Sequence, residues 1–191
     1  MPTTQPIPAH EHHSGSPMHR LLPIVALFLI APWVEAAGTY ESYNAYLESV
    51  YRETVPLIQP EELHEMLREQ NREIVVLDTR SRAERTVSYL PGSRFVGYEE
   101  FNVDHVADVP RTATVVLYCA VGYRSERVGE ALQDAGFTSV LNLYGGIIEW
   151  HNRGLPLVDA HAKPARVHGY SPRWGRWVES DRVTYSPDPE E

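Results

Sequence analysis

Short apolar runs alternate with longer amphipathic stretches along the middle of this chain. Ile74 to Leu77 is a continuous apolar run, and Thr114 to Tyr118 is nearly so; this is the pattern of strands buried on both faces. Val140 to Leu143 repeats it, while Val55 to Ile58 and Arg94 to Val96 are shorter candidates. The stretches between carry helix signals. Gln59-Pro60-Glu61-Glu62 opens a helix running to about Asn71, with proline at the first helical position and acids in the first turn. Leu63, Met66 and Leu67 supply its buried stripe. Ser81-Arg82-Ala83-Glu84 is a capping-box pattern for a brief helix, and Leu90 to Ser93 is a turn. Ser125 to Ala135 is helical and closes at Gly136. Gly145-Gly146 then turns the chain into a short helix through Trp150 and His151. Strands alternating with helices predict an α/β domain with a mostly parallel sheet, spanning residues 59–158.

The flanks differ from this core. Tyr40, Tyr43, Leu47, Val50 and Tyr51 fall at helical spacing, so residues 37–58 are expected to form a helical extension, helical from Thr39 to Val55, that docks on the domain. Residues 159–191 combine Pro164, Pro172, Pro187 and Pro189 with Tyr170, Trp174, Trp177 and Tyr185 without helical spacing. Such aromatic content argues for extended segments lying over the domain, with Ser186 to Glu191 fraying. The tryptophans are expected to pack there rather than to form a stacking platform for a partner.

At the other end, a polar stretch precedes Met18-His19-Arg20, an apolar segment over 21–34 and small residues at Ala36 and Ala37. That order is that of a secretory signal peptide, with Met18 the more natural start and cleavage after Ala36. The segment is shorter than the roughly 20 residues of a spanning helix, and Pro23 and Pro32 interrupt it. An exported protein, periplasmic or extracellular, is therefore expected; left uncleaved, the same segment would anchor it to the membrane.

Composition narrows the function. The 191 residues are 42% hydrophobic and 23% charged, ordinary for a globular protein, and the net charge of −9 argues against nucleic acid as a partner. His64, His105, His151, His161 and His168 show no paired metal-ligand spacing, so no metal site is expected. The single cysteine, Cys119, cannot join an internal disulfide.

That cysteine ends the strand Val115-Val116-Leu117-Tyr118, at the sheet edge where open α/β folds bind ligands. A lone cysteine beside apolar residues is commonly a small buried hydrophobe. Here the loop argues otherwise. Gly122 lets the chain curl so that successive N–H groups face one atom, and a helix beginning near Arg124 or Ser125 adds its N-terminus. Such a nest favours thiolate over thiol, and Arg124 adds a positive charge. The arrangement suits a nucleophile.

Cys119-Ala120-Val121-Gly122-Tyr123-Arg124-Ser125, C-x-x-G-x-R-S, resembles the active-site loop of the rhodanese-type sulfurtransferases. Val76-Leu77-Asp78-Thr79-Arg80 resembles that family's strand ending in D-x-R. Tyr89-Leu90-Pro91-Gly92-Ser93 resembles its G-H-I-P-G-A segment, with tyrosine where many members carry histidine. Leu143 to Trp150 resembles its L-x-G-G-x-x-x-W close, so the likeness covers residues 59–158. The resemblance implies a three-layer rhodanese-like α/β domain, a small mostly parallel central sheet flanked by helices.

It also implies a sulfurtransferase with Cys119 as the catalytic thiol, passing a sulfane sulfur from a donor such as thiosulfate, through a Cys119 persulfide, to a thiol or cyanide. Ala120, Val121, Gly122, Tyr123, Arg124 and Ser125 would bind the substrate, with Asp78 and Arg80 in support, pairing or capping near the loop. Arg85 and Arg94 are expected on solvated surface. No cofactor is implied. The partners implied are a small sulfur-containing anion or thiol, and a sulfur-carrier protein is a further one. The C-x4-R spacing is one residue shorter than that of phosphatases, which favours sulfur over a phosphoryl group. The alternative is a non-catalytic rhodanese-like module that binds a sulfur compound or a partner protein.

Overall fold

The computed structural model describes residues 42–69, 74–159, 166–179 and 181–186. The signal-like segment, residues 1–36, lies outside them, as do the end of the helix expected to reach Asn71 and the last five residues. A first helix, α1 (residues 42–50), leads through an irregular stretch to β1 (Leu57–Ile58) and α2 (Pro60–Arg68). There follow β2 (Ile74–Asp78), α3 (Arg82–Val87), β3 (Arg94–Phe95), a 3-10 turn at Val103–Val106 and β4 (Thr114–Tyr118). Then come α4 (Tyr123–Asp134), β5 (Ser139–Leu143) and α5 (Gly146–Asn152), and after them β6 (Val167–His168), α6 (Pro172–Gly175) and β7 (Val183–Thr184).

The main sheet has the order β1-β5-β4-β2-β3, and every pairing is parallel. The central strand β4 runs in register with β2 from Ile74↔Thr114 to Asp78↔Tyr118. Its residues alternate between two cores, as a period-two strand buried on both faces must. Val116 and Tyr118 face a cluster with Leu63 of α2, Ile147 and Trp150 of α5, and Tyr43 and Leu47 of α1. Val115 and Leu117 face a second cluster with Val128 and Leu132 of α4. Val115, Val116 and Leu117 have no exposed surface, and each such side chain contributes on the order of 1.5–3 kcal/mol.

Three elements depart from the sequence reading. The first helix ends at residue 50 rather than at Val55, because Glu126 of α4 captures the backbone of the next stretch: its carboxylate accepts the N–H groups of Arg52 (2.9 and 3.0 Å) and Thr54 (3.1 Å). α4 starts at Tyr123, two residues before Ser125, since Gly122 stands as its N-cap with φ 99°. The C-terminal segment is not simply extended: β6 and β7 pair in parallel around the helical turn α6. Val167, Trp177 and Val178 of that segment join the same core cluster as Tyr43 and Trp150.

Candidate functional site

β4 delivers Cys119 to the carboxyl edge of the sheet, and the loop that follows is shaped by where its carbonyls go. Cys119 O accepts from Ile147 N (2.9 Å) and Ala120 O from Ile148 N (3.2 Å), both in the first turn of α5. Val121 O accepts from the Tyr51 hydroxyl (2.8 Å), and Gly122 O from Asn142 Nδ2 (3.0 Å). A peptide carbonyl and the next N–H point opposite ways across the planar bond. Four carbonyls held outward therefore turn the N–H groups of residues 120 to 123 to the other side, and Gly122 N–H donates to Cys119 Sγ at 3.1 Å.

Gly146 makes this docking feasible. Its φ is 57°, and a Cβ there would lie 2.5 Å from Cys119 O and 2.7 Å from Ala120 O. Only glycine lets α5 bring its N–H groups so close to the loop.

Two opposing effects act on the thiol. Burial pushes the Cys119 thiol up, since the residue has no exposed surface; the Arg124 charge and the N–H groups of Ser125 and Val121 outweigh it and hold the pKa below the ordinary cysteine value. The Ser125 side chain lowers it as well, and its Oγ donates to Asn142 Oδ1 at 2.7 Å.

Arg124 is tied down on two sides. Its terminal nitrogens meet the Glu84 carboxylate in a fork, NH1 to Oε2 at 2.9 Å and NH2 to Oε1 at 2.7 Å. The Tyr170 ring covers its face, 4.8 Å from Cζ to centroid. Its side chain also hydrogen-bonds the Cys119 thiol, while the buried Nε finds no other acceptor among the described residues. Glu84 is the residue the sequence reading missed as part of the site, having read it only as a cap. The same carboxylate does both: Oε2 accepts from Ser81 N (3.0 Å) and Ser81 Oγ (2.9 Å) as well as from Arg124.

Asp78 and Arg80 form a buried pair with no exposed side-chain surface. Asp78 also accepts from the Tyr118 hydroxyl (2.8 Å) and from Arg85 (3.1 Å), while Arg80 reaches Ser88 O (2.6 Å). The pair thus ties β2, β4 and α3 together and makes no hydrogen bond to residues 119 to 125. Arg85 corrects the expectation of a solvated side chain. It is 21% exposed, donates to Asp78, Ser93 Oγ (3.1 Å) and Ser93 O (2.7 Å), and lies over Tyr89, because Asp78 has lone pairs left after Arg80. Arg94 does lie at the surface, paired with Asp108. Two surface depressions flank α3, one along Arg85 and Tyr89 and the other along Arg94 and His105; neither borders Cys119.

A family model described as the rhodanese-like domain matches residues 59–153. A sulfurtransferase of Allochromatium vinosum is 33% identical over 86 residues, covering 45% of this chain and 79% of that protein. A probable adenylyltransferase/sulfurtransferase, MoeZ, of Mycobacterium tuberculosis is 31% identical over 100 residues, 52% of this chain, and the chain spans only 25% of that protein's length. Among solved structures, a thiosulfate sulfurtransferase from Pseudomonas aeruginosa superposes with a TM-score of 0.52 at 26% identity, over 71% of this chain and 26% of the other.

Proposed function

The chain belongs to the rhodanese-like domain family, and on that footing we propose that it is a sulfurtransferase working through a persulfide on Cys119. The observation that carries the reading is the Cys119 thiol itself. It lies at the end of the central strand, receives Gly122 N–H at 3.1 Å, and is held toward thiolate by Arg124 and the loop amides. A thiolate is the nucleophile sulfur transfer needs.

In the first half-reaction the Cys119 thiolate attacks the outer sulfur of the donor. A bond forms between Sγ and that sulfur, the donor's own S–S bond breaks, and the leaving group departs with the electron pair, as sulfite if the donor is thiosulfate. The negative charge on the new outer sulfur faces the N–H groups of residues 120 to 125. In the second half-reaction a thiol or cyanide takes the outer sulfur and returns the Cys119 thiolate. The scheme is ping-pong with one covalent intermediate and draws on no other group. The basic start and apolar stretch of residues 18–36 support a place outside the cytoplasm for this reaction.

The test is the intact mass of the full chain after incubation with a sulfane donor: a gain of one sulfur that cyanide removes and that Cys119→Ala abolishes. The second reading, a binding module, is favoured by the complete burial of Cys119. It expects no adduct with any donor.

A further inference from the structure

We propose that Tyr170, in the C-terminal segment, is a positioning residue for sulfur transfer: its ring steadies the Arg124 guanidinium in the Glu84 fork, so that the cation stays turned to Cys119. The proposal rests on the reading of Cys119 as the working thiol. It brings into the site a part of the chain outside residues 59–153, where the family model matches.

The need for such a residue follows from the geometry of the fork. Arg124 NH1 to Glu84 Oε2 (2.9 Å) and NH2 to Oε1 (2.7 Å) hold guanidinium and carboxylate edge to edge. Two parallel hydrogen bonds fix the distance and the in-plane angle. They leave one soft motion, a tilt of the guanidinium plane about the carboxylate edge. Glu84 is itself held, since Ser81 N–H and Oγ–H both donate to Oε2, so the remaining freedom belongs to Arg124. A contact on the face of the guanidinium opposes the tilt, and the Tyr170 ring supplies it, 4.8 Å from Cζ to centroid.

The tilt matters because of what the guanidinium does beyond the fork. It keeps N–H groups in its plane, the Nε edge among them, and the Arg124 side chain hydrogen-bonds the Cys119 thiol. Tilting lengthens that bond and lets water reach a side chain that is only 11% exposed. Both changes weaken the hold of the cation on Sγ.

Tyr170 is suited to this role. Its ring is nearly half exposed, and its φ of 62° is one that glycine adopts more readily. Neither burial nor backbone shape accounts for a tyrosine there; its contacts do. The ring stacks on Trp174 at 4.4 Å between centroids, and Trp174 meets Tyr46 of α1 at 6.3 Å. The Tyr170 N–H donates to His168 Nδ1 at 2.9 Å. The ring is thus braced from the N-terminal helix, through the tail, onto the arginine of the cysteine loop.

The test needs no sulfur chemistry. Iodoacetamide alkylation of Cys119 in the full chain is followed across pH. The rate below the midpoint, divided by the alkaline plateau rate, reads the thiolate fraction and cancels any change in access to the thiol. Tyr170→Gly removes the ring, suits the φ of 62° and keeps the N–H that His168 accepts. The other charged and titratable groups around Arg124 and Cys119 stay in place: Glu84 of α3, Tyr43 of α1, Tyr51 after it, and His168 of the tail. The ratio is expected to fall about two- to fivefold in Tyr170→Gly, the size of a cation–π contact near the surface. Tyr170→Phe keeps the ring and is expected to restore the ratio. With Arg124→Gln already present, Tyr170→Gly should lower it no further, because the ring acts through the arginine. A tyrosine that only packs the tail would lower the melting temperature and leave the ratio unchanged. That result, or an equal fall in the Arg124→Gln background, overturns the proposal even if sulfur transfer proceeds. A ratio that moves as expected in a chain whose Cys119 gains no sulfur from any donor overturns the sulfurtransferase reading instead.

Discussion

The Tyr51 hydroxyl donates to Val121 O at 2.8 Å, joining the N-terminal extension to the loop that follows Cys119. The same oxygen accepts from Gly145 N at 2.8 Å, so one phenol links the two loops that meet beneath the thiol. A Cβ on Gly122 would lie 2.5 Å from that oxygen, which shows how closely the ring seats against the loop. Tyr51→Phe leaves Val121 O and Gly145 N without this partner, and an unsatisfied buried group costs about 1–3 kcal/mol. The expected result is a fall of about 2 kcal/mol in unfolding free energy by urea titration, with slower sulfur transfer at unchanged Cys119 content.

Gly146→Ala is expected to be far more damaging than Gly136→Ala. Both positions have positive φ, 57° and 87°, so both substitutions carry backbone strain of about 1–3 kcal/mol. Only at Gly146 does the new Cβ also meet backbone, 2.5 Å from Cys119 O, whereas nothing lies within 4 Å at Gly136. Chemical denaturation should place Gly136→Ala near the strain cost alone and Gly146→Ala well below it, with the thiol displaced. Equal losses in the two variants would contradict the docking of α5 on the loop.

Asp78 makes stability depend on acid. Burial raises its pKa, but Arg80, with its charge and hydrogen bonds, and the Tyr118 hydroxyl hold it below the ordinary carboxylate value. A carboxylate with a lowered folded pKa contributes stability that is fully present above its unfolded pKa, about 4, and lost as pH falls through the folded value. Melting temperature should therefore drop steeply below about pH 4. Asp78→Asn leaves the fully buried Arg80 uncompensated and is expected to cost about 3–5 kcal/mol at neutral pH, while flattening the acid limb.

Arg124 sets the titration of the thiol. Against the burial that raises it, Arg124 is the largest influence holding Cys119 below its ordinary value. Arg124→Gln should move the pH midpoint of iodoacetamide alkylation upward, toward or past the unperturbed value of about 8.5. A midpoint left in place would assign the thiolate to the loop amides alone.

Much of this arrangement was legible from residue pattern, and the parts that were not share a cause. Val115 to Tyr118 reads as a doubly buried strand because its neighbours on both faces are apolar, and C-x-x-G-x-R-S is a local motif carried by seven adjacent residues. Glu84 is different. Its partner Arg124 lies 40 positions away, and its role as the N3 residue of a capping box already explains a glutamate there. Arg85 was misplaced for the same reason, since its partner Asp78 is set by the crossing of α3 over β2 rather than by spacing. The tail's small parallel sheet leaves almost no signal, because β6 and β7 are two residues each. Its contact with Arg124 is made by Tyr170, whose φ of 62° no pattern of apolar positions encodes.

The central claim is that Cys119 carries sulfur. The direct measurement is intact mass spectrometry of the full chain after exposure to cysteine persulfide and, separately, to thiosulfate. The account predicts a single added sulfur from a sulfane donor, its removal by cyanide, and no adduct in Cys119→Ala. An adduct that survives Cys119→Ala, or a wild-type chain that gains no sulfur from either donor, would contradict it.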